Sequence, residues 1–137
     1  MQQRIAVGKA QWERAEIERS TFEAIHTPDV RLISDPANVA RYLAPATTTV
    51  YPLEYVFSRI GNVAGLRVLD FGCGSGENTL MLARRGASVI GVDISKSLIA
   101  MARRRLQLNK LAGAADFVVG SAHDLPIAAG SIDIVAA

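Results

Sequence analysis

The sequence predicts an α/β protein built on a doubly wound, mostly parallel sheet, preceded by a helical extension. Short apolar runs at Arg67–Phe71, 88–92, 117–119 and 132–135 alternate with segments of helical length and periodicity. Connections that long cannot be hairpins, so the strands must pair in parallel through right-handed crossovers. A glycine-rich stretch, Gly72-Cys73-Gly74-Ser75-Gly76, stands between the first run and the helix after it. A carboxylate, Asp93, closes the second run. Both lie where open α/β sheets present ligand-binding groups, at the carboxyl ends of strands.

In chain order, residues 8–26 carry many Glu and Arg. Trp12, Ala15, Phe22 and Ile25 are spaced like one face of a surface helix. A turn is expected at Thr27-Pro28-Asp29. Asp35 then precedes Pro36 as an N-cap before a proline suited to the first helical position, which predicts a helix over Pro36–Leu43. Pro45 and the threonines at 47–49 break it. Leu53, Val56, Phe57 and Ile60 follow Pro52 at i, i+3, i+4 and i+7, a face that must pack on something apolar, and Gly61 is placed to end that helix. After the strand at Arg67–Phe71, a helix over 77–85 is stopped by Gly86. Ser95 caps the next helix, whose inner side carries Leu98, Ile99, Ala102 and Leu106, with Arg103, Arg104 and Arg105 mostly facing water. A final strand with no helix after it leaves an apolar edge of unpaired backbone groups. The sheet is therefore expected to be truncated after its fourth strand, the chain to be a fragment, and the exposed strand to offer a route to self-association.

With 137 residues, half of them hydrophobic, the chain has material for one compact domain with a real core. Its 15 basic and 13 acidic residues nearly cancel, which points to small, roughly neutral partners rather than nucleic acid. The single cysteine makes no internal disulfide and no metal-ligand cluster, so no metal site is expected. No apolar stretch approaches the ~20 residues that span a bilayer, and a cytoplasmic location is the expectation.

The glycine loop turns sharply and lets a ligand approach backbone N–H groups without Cβ atoms in the way. Its spacing is G-x-G-x-G, and Glu77 stands where a dinucleotide loop needs no charge; that carboxylate would repel a pyrophosphate. Asp70, just before the loop, suits a ligand bearing an ammonium group better than a diphosphate. Asp93 can accept both hydroxyls of a ribose. A plain structural turn at the loop and a strand-capping Asp93 are the simpler alternatives.

The run Val68-Leu69-Asp70-Phe71-Gly72-Cys73-Gly74-Ser75-Gly76, followed by Gly91-Val92-Asp93-Ile94-Ser95, resembles the first two motifs of class I S-adenosylmethionine-dependent methyltransferases. Gly120-Ser121-Ala122-His123-Asp124-Leu125-Pro126-Ile127 and Gly130-Ser131-Ile132-Asp133 continue the likeness. They are similar to the small-molecule branch that includes ubiquinone-biosynthesis and sterol methyltransferases. The resemblance covers about residues 53 to 135 and implies a Rossmann-like methyltransferase fold with S-adenosyl-L-methionine as cofactor. It implies that Asp70 and the backbone of Gly72, Cys73, Gly74 and Gly76, with Phe71 beside them, hold the methionine moiety. Asp93 would hold the ribose, Ile94 would pack on adenine, and the Ala122 N–H would meet a ring nitrogen. Ser121 departs from the family, which usually has Asp there to accept from the adenine amino group; a hydroxyl is a weaker acceptor, and Asp124 could compensate or simply be a solvated turn residue. Residues 1–50 would form a helical extension or lid, and 51–137 the incomplete cofactor-binding domain.

Other residues have plainer readings. His123 could be a base near the sulfonium but reads as a loop histidine in water, Cys73 as a space filler, and the three arginines as a solvated face rather than an RNA contact. Trp12 and His26 either help a lid or pack. No catalytic residue can be named, and the acceptor is expected to be a small molecule. The alternatives are a short non-catalytic protein that binds S-adenosylmethionine or a partner, and a nicotinamide-dependent oxidoreductase.

Overall fold

A computed structural model describes residues 2–137, with side chains described from Gly8 onward, Lys9 excepted. Five α-helices and four strands follow in the order α1 (Gln2–His26), a short 3-10 turn (Asp29–Leu32), α2 (Pro36–Leu43), α3 (Pro52–Ile60), β1 (Arg67–Phe71), α4 (Glu77–Arg84), β2 (Ser88–Asp93), α5 (Lys96–Leu108), β3 (Ala115–Val119) and β4 (Ile134–Ala136). The sheet is parallel throughout, in the order β3-β2-β1-β4. Successive connections step outward from β1 to β2 and β3, and the chain then returns to the other side of β1. The order therefore reverses at β1, and the crevice above its carboxyl end is where such sheets bind ligands.

The register explains the core. Val68 pairs with Val89, and Asp70 with Gly91, which in turn pairs with Phe117, so these residues share one face of the sheet. Leu80, Met81 and Leu82 of α4 and Ile99, Ala102 and Leu106 of α5 are buried against that face. Gly91 and Gly76 permit this packing. A Cβ at Gly91 would sit 2.7 Å from the Phe117 ring, and one at Gly76 would sit 2.8 Å from the Ala102 Cβ, which ties the glycine loop to α5.

Local chemistry sets the helix ends. The Asp35 carboxylate accepts from the N–H groups of Ala37 (2.8 Å) and Asn38 (3.2 Å) with Pro36 behind it, and the Ser95 hydroxyl accepts from the Leu98 N–H at 3.2 Å. Gly61 leaves α3 with φ +73°, a conformation that favours glycine.

Three expectations change. First, the face of α1 turned to the protein is not the apolar one. Trp12, Phe22 and Ile25 are exposed, while Ser20, Thr21 and Ala24 meet α5. Small residues allow the two helices to approach. Their hydroxyls are satisfied locally, Ser20 donating to the Glu16 carbonyl and Thr21 to the Ile17 carbonyl, both at 2.7 Å. Second, the α3 face divides: Phe57 is buried edge-on to Tyr42, but Leu53 and Val56 are exposed. The inward position beside Phe57 belongs to Glu54, which pairs with Arg41 and accepts from the Thr49 hydroxyl at 2.7 Å. Third, the arginines of α5 divide: Arg103 and Arg104 are exposed as expected, and Arg105 turns inward. Arg104 pairs with Asp29 (2.6 Å), Arg103 donates to the Phe117 carbonyl (2.7 Å), and Arg105 is buried with only 7% exposed. Among the described residues no helix is long and apolar enough to cross a membrane.

Candidate functional site

The register brings the carboxyl ends of β1 and β2 level, Phe71 facing Val92, and sets Asp93 opposite Val119 of β3. The glycine loop turns back over this edge. The N–H groups of Gly72 (2.8 Å) and Cys73 (3.0 Å) both donate to the Val92 carbonyl, and that of Gly76 to the Cys73 carbonyl (2.9 Å). The Gly74 N–H donates to Asp93 Oδ2 at 3.0 Å. Four of the loop's N–H groups are thus spent on the protein itself, which corrects the expectation that they face a ligand. What Gly72 and Gly74 leave toward the crevice is open space: a Cβ at either would meet nothing within 4 Å, and positive φ holds both in shape.

Asp93 is held at both oxygens, Oδ1 accepting from the Ser95 N–H at 2.8 Å and Oδ2 from Gly74. Each carboxylate oxygen has a further lone pair to offer. Asp70 is buried, and its carboxylate receives the hydroxyl and N–H of Thr79 at the start of α4. Burial raises its pKa, and the Thr79 hydrogen bonds oppose that shift. Asp70 therefore anchors the helix that the loop opens. Behind the loop, burial and then the nearby Asp70 push the Cys73 thiol up to about 12, so it is no nucleophile near neutral pH.

A cavity of about 410 Å³ opens over this edge, within the range of small-ligand pockets. Of the residues expected to bind cofactor, Phe71, Gly72, Asp93, Ile94, Ser121 and Ala122 line it. Asp70, Cys73, Gly74 and Gly76 lie behind that lining. His123 is on its wall, whereas Asp124 is bridged to Ser121 in the turn that follows. His26 stacks on Phe22 along α1, their ring centroids 3.9 Å apart.

The opposite wall comes from α1, through Trp12, Glu13 and Glu16. Sequence reasoning missed both glutamates because they reach the site from a helix far removed in the chain; Glu13 Oε1 lies 3.3 Å from the Ser121 hydroxyl, 108 residues on. It also missed Arg105, whose guanidinium donates to the Ser75 carbonyl (2.8 Å) and hydroxyl (3.2 Å) and so holds the loop from below. Only the polar inner stripe of α1 hinted at the glutamates, and nothing local distinguishes Arg105 from its neighbours. Among the described residues no three His, Cys, Asp or Glu side chains converge as a metal site requires. A second cavity, about 460 Å³, lies between α3 and β4 and is mostly apolar.

Comparison with known proteins agrees with this geometry. The chain is 47% identical over 76 residues to magnesium-protoporphyrin O-methyltransferase of Rhodobacter capsulatus, covering 56% of this chain and 33% of that protein. It is 47% identical over 51 residues to ubiquinone biosynthesis O-methyltransferase of Alkalilimnicola ehrlichii, covering 37% and 21%. Among solved structures, geranyl diphosphate C-methyltransferase of Streptomyces coelicolor, in complex with S-adenosyl-L-homocysteine, matches 60% of this chain and 32% of its own with TM-score 0.55 and 25% identity. A SAM-dependent methyltransferase from Methanosarcina mazei matches 63% and 41% with TM-score 0.51 and 33% identity. The chain spans about a third or less of the length of these two curated relatives. The family model of the methyltransferase domain matches residues 68–137, half of the chain, and the chain belongs to that family.

Proposed function

We propose that the chain supplies the S-adenosyl-L-methionine-binding part of an enzyme that methylates a small-molecule acceptor. The observation that carries this reading is the fixed carboxylate of Asp93 on the cavity wall, between the glycine loop and the end of β3. Oriented by two backbone N–H groups, it is suited to accept a pair of vicinal hydroxyls, as a ribose presents. To one side, Ile94, Ser121 and Ala122 offer an apolar surface and short polar groups for a flat base. To the other, open space at Gly72 admits the amino-acid end of the cofactor, with Asp70 acting as a positioning residue through Thr79.

When bound, the sulfonium supplies an already activated methyl group, so no nucleophilic side chain is needed. The residues of this chain then bind and orient: Asp93 sets the register along the cavity, and the loop sets the depth. Residues 1–50 serve as a helical extension or lid, since α1 lays Trp12, Glu13 and Glu16 along the cavity wall. The named relatives are O-methyltransferases in two cases and a C-methyltransferase in a third, and what they share is a small-molecule acceptor. Val135, exposed on the edge strand β4, supports pairing between copies of the chain.

Titration calorimetry with S-adenosylhomocysteine and with NAD tests the cofactor assignment. S-adenosylhomocysteine is expected to bind, and Asp93→Ala to weaken it by about tenfold or more, the loss of a charge-assisted hydrogen bond. Binding of NAD without S-adenosylhomocysteine, or full affinity in Asp93→Ala, would overturn the reading.

A further inference from the structure

The two carboxylates that α1 contributes to the cavity have different surroundings. Glu16 is engaged by Arg19 and by Ser20 on its own helix. Glu13 instead reaches across to the turn after β3, where Ser121 donates its hydroxyl hydrogen to Oε1 and accepts the His123 N–H at 3.4 Å. That arrangement has a chemical consequence. With its one hydrogen committed to Glu13, Ser121 is held as part of a carboxylate-centred acceptor, and one such bond leaves most of the carboxylate's lone pairs unspent. The pair stands beside Ile94 at the end of the cavity away from the glycine loop. A second hollow of about 220 Å³, sharing Glu13, Ile94, Gly120 and Ser121, adjoins it. A flat base lying on Ile94 would present its edge to an acidic acceptor, with no lysine or arginine among the residues lining either cavity.

We propose that Glu13 is the residue that reads the base: its carboxylate accepts the exocyclic amino group of adenine, and Ser121 holds it in place. The proposal rests on the assignment of the cavity to S-adenosylmethionine. It makes α1 a determinant of cofactor specificity as well as a cover. An anionic acceptor favours a base edge with an N–H donor and repels one with a carbonyl oxygen at the same position. Asp124 does not take this role, because it is bridged to Ser121 within the turn and lies outside the cavity lining.

The test compares S-adenosylhomocysteine with S-inosylhomocysteine, which carries a carbonyl in place of the amino group, by calorimetry on the whole chain. The unaltered chain is expected to prefer the adenosyl compound by about tenfold or more. Glu13→Gln conserves shape and can present either a donor or an acceptor, so the preference should fall to about twofold or less. Glu13→Ala should weaken the adenosyl compound by about tenfold while changing the inosyl compound little, and adding Ser121→Asp should restore the preference. Thermal unfolding of each variant separates lost binding from lost folding, and Glu13→Gln carries the test if Glu13→Ala does not fold. An unchanged ratio in Glu13→Gln, or equal weakening of both ligands, overturns the role of Glu13 and leaves the cofactor assignment standing. Failure of the unaltered chain to bind either ligand overturns the assignment and this proposal together.

Discussion

Gly72 and Gly76 look alike in the sequence but meet different constraints. Both have positive φ, +72° and +77°, so any side chain at either carries backbone strain. At Gly72 that is the whole cost, because the space beside it is open. At Gly76 a Cβ would lie 2.8 Å from the Ala102 Cβ and 3.1 Å from its Cα, and neither atom belongs to a flexible side chain that could swing away. Gly76→Ala is therefore expected to lower stability by about 2–4 kcal/mol, and Gly72→Ala by about 1–2 kcal/mol. Urea unfolding followed by circular dichroism measures both. Equal losses would mean that α4 and α5 are not packed through this contact. The binding consequences should run the other way, because Gly72 borders the cavity and Gly76 does not.

At the scale of elements, the arrangement depends on how α5 grips its surroundings. Arg105 is held in the interior by the Ser75 carbonyl and hydroxyl, and the Leu32 carbonyl lies 3.5 Å from it, so a single side chain links α5, the glycine loop and the turn after α1. Arg105→Leu would leave the Ser75 carbonyl without its donor. The expected loss is about 3 kcal/mol, with weaker S-adenosylhomocysteine binding as the loop loosens. Undiminished stability by urea unfolding would show the guanidinium to be dispensable. The same residue marks where sequence reasoning stops. Strands β1 and β2, the cap residues Asp35 and Ser95, and the loop between β1 and α4 were legible because their signals are local: apolar runs, turn chemistry and glycine spacing. The burial of Arg105, the outward turn of Phe22 and Ile25, and the arrival of Glu13 at Ser121 are decided by contacts across many tens of residues. Helical periodicity identifies a stripe on α1 but not which stripe meets the protein. The fit of Ser20, Thr21 and Ala24 against α5 decides that, and only the assembled fold shows it.

For the molecule as a whole, β4 is the strand whose attachment is most exposed to conditions. It pairs with β1 over three residues, Ile134 to Ala136, and just before it Asp133 clamps the start of β1. The Asp133 carboxylate accepts from the Arg67 N–H (2.8 Å) and from its guanidinium (2.8 and 3.0 Å), while the Asp133 N–H donates to the Arg67 carbonyl at 2.9 Å. These bonds hold the Asp133 pKa at about 2, below the ordinary 3.8. A depressed value means that the unfolded chain binds this proton more readily than the folded one. The pair's contribution is therefore complete above about pH 4 and is lost as pH falls toward 2, while Arg67 stays charged throughout. Asp70 has the opposite sign: burial raises its pKa, so its contribution is present at low pH and is lost as pH rises through the folded value. Urea midpoints measured from pH 7 to pH 2 should fall less steeply below pH 4 in Asp133→Asn than in the unaltered chain, with the two curves parallel above pH 5. Because the pair is solvent-exposed, the difference should also shrink in high salt. Curves that stay parallel through the acid range would show that the clamp contributes nothing to holding β4 on the sheet, and that the three-residue ladder alone keeps it there.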